Sequence, residues 1–224
     1  MMMNLFSIFD PMTSMEYSMN WISLLLNLLF LPFMYWFIPS RWNMMFFLIL
    51  KKLIVEFKML LNFKKNLMNL LILLSVFLMI MFSNLLCMFP YIFSSSSHLI
   101  YSMSLSMILW ISMILFGWII NTNHMFCHLV PQGTPVVLMS FMVIIETISN
   151  LIRPGTLAVR LSANMIAGHL LMTLISSTGN SLGLMLLFIM ILIQSILVIL
   201  ELSVAVIQAY VFSILSTLYS AESM

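Results

Sequence analysis

The sequence predicts an all-α, polytopic membrane protein: about three ordinary spanning helices, one amphipathic helix on the membrane surface, and a long, strongly inclined helical pair. Two observations carry that class. Of 224 residues only 8 are Lys or Arg and 6 are Asp or Glu, while 63% are hydrophobic and mean hydropathy is +1.18. A soluble domain with roughly 25% charged residues would carry about four times as many. Residues 66–145 and 161–200 hold no Lys, Arg, Asp or Glu at all, so lipid must be the main solvent of the chain.

The first span is expected over residues 20–38, apolar except for Ser23 and Asn27, with Trp21, Tyr35 and Trp36 as interfacial anchors and Pro39 ending it. Residues 41–65 change character. Arg41, Lys51, Lys52, Lys58, Lys64 and Lys65 alternate with Phe46, Leu50, Ile54, Phe57 and Leu61, the pattern of an amphipathic helix lying on a membrane surface. By the positive-inside rule this segment faces the compartment of synthesis and the N-terminus lies on the other side.

Residues 67–89 and 99–120 each have the length of one span, and the turn-like 90–98 segment with its four serines joins them as a hairpin. Residues 121–135 carry Asn121, Asn123, His124, His128, Gln132 and Gly133 ahead of Pro135 and read as an interfacial loop. The last two segments, 136–177 and 181–218, are too long for ordinary spans. About 35 helical residues measure roughly 52 Å against a ~30 Å hydrocarbon core, which demands a tilt near 55° where about 20° is usual. The first of the two is expected to be interrupted at Pro154-Gly155.

Arg160 lies in an otherwise apolar helix, where a central Arg costs about 2.5 to 3.5 kcal/mol on insertion scales. A guanidinium does not deprotonate in a protein, so it supplies a permanent positive potential. On the helical wheel Arg153, Leu157, Ala163, Asn164 and Ala167 fall on or near its face, and the small residues there admit a close partner helix. His169 is about 900° further round, on the opposite side with Ser162, Thr173 and Ser176. On the last helix Gln194, Glu201 and Gln208 recur every seven residues as one polar stripe, which suits a hydrated proton path. Glu146 falls about 21 Å before Arg160 on a continuous helix.

Other chemistries are weakly represented. His124 and His128 flank Cys127 at i, i+4 spacing, but no further ligand lies nearby and no metal site is expected. Cys87 and Cys127 suggest neither a disulfide framework nor zinc binding. No phosphate loop, triad or paired-carboxylate hydrolytic site can be assembled, no cofactor is implied, and a net charge of +2 argues against nucleic acid. The N-terminal MMMNLFSIFD shows neither a secretory signal nor an Arg-rich transit peptide, as expected of an organellar protein made in place. The 25 Met residues fit an AT-rich mitochondrial code, or flexible packing.

Four stretches carry a family resemblance: FDP near the N-terminus, NLLCMFPYIF before the first loop, HLVPQGTPVVLMSFMVIIETISNLIRPGTLAVRLSANMIAGHLL over 128–171, and LELSVAVIQAYVFSILSTLY over 200–219. The chain closely resembles the subunit a (subunit 6) family of the mitochondrial F-type ATP synthase membrane sector. The resemblance implies a non-catalytic, multi-pass stator in the mitochondrial inner membrane. Its N-terminus would face the intermembrane space and its C-terminus the matrix, and two proton half-channels would form against a rotating c-ring. Peripheral-stalk and other membrane subunits, and indirectly the F1 head that makes ATP, would be its partners. Arg160 would be the essential stator arginine; His169 and Glu201 would line the half-channel from the intermembrane space and Glu146 the one toward the matrix. Asn164 and Gln208 would support the arginine region, and Glu222 would match an acidic residue near the family's C-terminus. Two rival readings stand beside it. A proton antiporter or respiratory proton channel usually shows inverted repeats and several intramembrane Lys residues, and a purely structural subunit has no use for Arg160, Glu146 and Glu201 together.

Overall fold

The computed structural model describes residues 5–14, 16–32, 35–61, 67–130, 135–179 and 183–222. Within them the chain is helical throughout: α1 (Ser23–Leu29), α2 (Arg41–Leu60), α3 (Leu67–Cys87), α4 (Leu99–Ile120), α5 (Thr122–His128), α6 (Val136–Thr178) and α7 (Leu184–Glu222). Four of these, α3, α4, α6 and α7, are long and apolar enough to cross a membrane.

The span expected over 20–38 is not one helix. A 3-10 turn at Met19–Ile22 leads into α1, which stops at Leu29, and the reason is Pro32. Its ring disfavours helical backbone at Leu31, and its missing N–H cannot continue the ladder. About 11 residues rise only ~16 Å, half of the hydrocarbon thickness.

Ser40 caps α2, its hydroxyl accepting from the Asn43 amide. The helix buries Leu53 and Phe57 against α3 and α7 while Arg41, Lys51 and Lys52 stay exposed; Lys64 and Lys65 lie outside the described residues. The 121–135 segment, expected as a loop, forms the short helix α5 over residues free of Gly and Pro. Phe126 of α5 packs edge-on against Trp118 of α4, with ring centroids 4.9 Å apart.

The long pair differs from expectation at Pro154. α6 runs unbroken through it for 43 residues, roughly 65 Å, with the proline ring fully buried against neighbouring helices. α7 has 39 residues, about 58 Å; both exceed the hydrocarbon core and require inclination or overhang. In lipid, helices associate through close packing and polar contacts, because tails are as apolar as Leu. α7 accordingly turns a row of small residues inward: Ala205, Ala209, Ser213 and Thr217, one per turn, all fully buried. Phe212 joins Leu157 and Leu161 of α6 and Phe77 and Ile80 of α3 in the main apolar cluster. The outer half of α7, from Leu184 to Leu200, is largely exposed.

Candidate functional site

The wheel expectation for α6 is met on its exposed side. Arg160, Ala163, Asn164 and Ala167 are all exposed, whereas Leu157, placed near that face from sequence, turns into the core. It lies 60° from Arg160 toward Leu161, which is also buried. Arg160 has no hydrogen-bond or ion-pair partner among the described residues. A fixed cation on an apolar helix, bordered by small side chains and unpaired among the described residues, presents its field outward.

On the packed side of α6, His169 meets Glu201 of α7, with Nε2 3.7 Å from Oε1. Glu201 is buried and neither carboxyl oxygen has a hydrogen-bond partner among the described residues. Gly168 makes room for it: a side-chain carbon there would stand 2.6 Å from the Glu201 Oε1. The 3.7 Å gap exceeds a direct hydrogen bond.

Sequence reasoning missed the rest of this cluster. Cys87, at the end of α3, shares a 2.9 Å hydrogen bond with His169 Nε2. The four serines of the expected turn do form one, and it is buried between α3, α4 and α6. Ser94 and Ser97 contact each other at 3.0 Å, and the Ser97 hydroxyl donates to the Ser94 carbonyl at 2.7 Å. Asn84 of α3, fully buried, donates to the Ala205 carbonyl of α7. The signal available was four serines beside apolar spans, where hydroxyls are costly unless they face protein or water. Phe9, from the N-terminal 3-10 turn, covers the imidazole edge-on at 6.4 Å.

One turn from Gly168 toward Arg160, Asn164 donates to the Oε1 of Gln208 at 3.1 Å, and Gln208 is itself buried. Gln194, the outer member of the α7 stripe, is half-buried.

At the far end of the pair Glu146 and Glu222 converge on Arg153. Its Nη1 contacts Glu222 Oε2, its Nη2 lies 3.8 Å from Glu146 Oε1, and the guanidinium sits 5.2 Å over the Tyr219 ring. The three charged groups line a cavity of about 530 Å³ with Thr147, Asn150 and Trp110. Glu222 thus joins Glu146 through Arg153, and the Arg153–Glu222 contact between different helices is one that no local pattern discloses.

The cross-pairs share one register: Glu201 with His169, Gln208 with Asn164, Glu222 with Arg153. As numbering rises on one helix it falls on the other, so the helices are antiparallel, and the two polar clusters lie on either side of Arg160 along them. Along α7 the two carboxylates are about 31 Å apart. Cys127 is exposed, and the His124 and His128 side chains lie outside what is described; among the described residues no three His, Cys, Asp or Glu side chains group as a metal site.

Comparison with known proteins completes the picture. A family profile described as ATP synthase A chain matches residues 17–221. Among curated relatives, the ATP synthase subunit a of Locusta migratoria is 57% identical over 223 residues, covering 99% of both chains. Those of Drosophila melanogaster, 54% identical over 222 residues, and Aedes aegypti, 55% over 224, likewise cover 99% of each. With four long apolar helices among the described residues, two polar clusters flanking Arg160 and relatives alike over its full length, the chain belongs to the ATP synthase subunit a family.

Proposed function

We propose that this chain is the proton-conducting stator of an F-type ATP synthase in the mitochondrial inner membrane. It forms two half-channels against a rotating c-ring and couples proton flow to rotation. The observation that carries the reading is Arg160, exposed, unpaired among the described residues, and lying between two polar clusters, one on either side of it along the α6–α7 pair.

The mechanism follows from electrostatics. A ring carboxyl arriving through lipid is neutral, because burial disfavours its charged form. Close to Arg160 the anion becomes favourable, and the proton leaves toward the outlet lined by Glu146 and Glu222. The carboxylate passes the guanidinium and takes a new proton from the inlet lined by His169 and Glu201. Asn164 and Gln208, bonded across the helix pair beside Arg160, hold its neighbourhood rigid. Arg160 repels hydronium and keeps its own proton, so the half-channels never connect directly. The subunit forms no covalent bond itself; ATP chemistry belongs to the F1 head, reached through rotation, and peripheral-stalk subunits resist the torque. The cations of α2 support an orientation with that helix and the C-terminus in the matrix and the N-terminus in the intermembrane space.

The test is Arg160→Ala in the whole complex, reconstituted in vesicles. ATP synthesis and ATP-driven acidification should both stop, while passive leak under an imposed gradient persists or rises. Arg160→Lys should be severely impaired too, since a desolvated ammonium neutralises where a guanidinium does not. Near-normal pumping by the Ala variant would make Arg160 structural and overturn the mechanism.

A further inference from the structure

Glu146, Arg153 and Arg160 recur at every seventh residue of α6, so they share one slowly drifting face with Arg153 interposed about 10 Å from each. Any proton travelling from the Arg160 region to Glu146 therefore passes a second cation. Arg153 is not solitary like Arg160. It reaches Glu146 on its own helix and Glu222 in the last turn of α7, stacks over Tyr219, and borders the same cavity as both acids.

Resting on the outlet reading above, we propose that Arg153 is the positioning residue of the outlet: it draws two carboxylates from different helices to one cavity and keeps them working as a single relay. Stability does not account for the arrangement. All three side chains are roughly one-third or more exposed, and exposed ion pairs contribute about 0–1 kcal/mol. Geometry does: a guanidinium presents five donors in a rigid planar fork, able to face two carboxylates at once and a ring with its plane, whereas an ammonium is a point charge. Without the fork, Glu222 is free to swing away from Glu146.

A double-mutant cycle on the whole reconstituted complex tests this, reading proton flux per assembled complex. Arg153→Gln should slow flux about tenfold, within the coupling range of residues in one charged network, and Glu222→Gln should slow it comparably. The double variant should be no slower than the slower single one, because both changes break the same relay. Arg153→Lys, which keeps the charge but loses the fork, should fall between wild type and Arg153→Gln. Multiplying effects, wild-type flux in Arg153→Gln, or full rescue by Lys would each overturn the proposal. Glu146→Gln separates the two levels: slowed flux there with normal flux in Arg153→Gln defeats only the positioning role, while normal flux in Glu146→Gln defeats the outlet itself.

Discussion

Glu201 occupies the space that a side chain at Gly168 would fill: its Oε1 and Cδ lie 2.6 and 2.7 Å from the point where that carbon would stand. Gly168→Ala gains about 1 kcal/mol of helix propensity but overpacks a buried contact at about 1–3 kcal/mol, so displacement of the carboxyl wins. Proton flux should fall, and Glu201→Asp, one methylene shorter, should restore part of it in the Gly168→Ala background. Full flux in Gly168→Ala alone would show that the carboxyl's position is immaterial.

Removing the carboxyl altogether should act differently from removing Arg160. With Glu201→Leu the proposed inlet loses its buried acid beside His169, yet the cation proposed to separate the half-channels remains. Flux should slow while ATP synthesis stays coupled to what flux there is. Unchanged flux at saturating driving force would remove Glu201 from the path.

The Asn164–Gln208 hydrogen bond yields a stability prediction. Asn164→Leu strands the buried Gln208 carbonyl, costing about 1–3 kcal/mol, whereas replacing both partners with apolar groups is nearly neutral. Interhelical bonds in membranes average only about 0.6 kcal/mol, so the shift should be small but ordered. Heat inactivation of the purified complex should spare the Asn164→Leu/Gln208→Leu double variant more than the Asn164→Leu single variant. The reverse order would mean that the bond is not held in the membrane.

Topology is checked by chemistry from each side. Single cysteines introduced at Ser7 and at Asn62 should react with impermeant thiol reagents from the intermembrane-space side and the matrix side respectively. Labelling of both from one side would sink the proposed orientation.

Periodicity made the main axes of the site legible. The seven-residue stripe through Glu201 and the opposed faces of Arg160 and His169 are properties of a helix, and α6 and α7 are helices across those positions. What escaped depends on contacts between distant segments. Cys87 and His169 are 82 positions apart in sequence and meet at 2.9 Å, and Arg153 meets Glu222 across 69; no local spacing encodes either. The serines were read as a turn and do form one; their burial escaped because a turn buried among three helices has the same letters as one in water. Pro32 was a different kind of miss. Its effect on the backbone is local and physical, and hydrophobicity on both sides concealed it.

The exposed row on α6 has a further consequence for motion. Helices that lock together do so by seating protruding side chains in facing holes. Between Arg160 and Ala167 this surface offers two alanines and a short amide, with one long side chain standing above them. Such a profile gives a neighbour little to grip. A helix facing it could glide, and the chief obstacle to each step would be a flexible tooth that bends on a single-bond rotation and, in the proposed mechanism, carries the charge that halts or releases the passing carboxyl. Low friction and directional control thus reside in the same few residues.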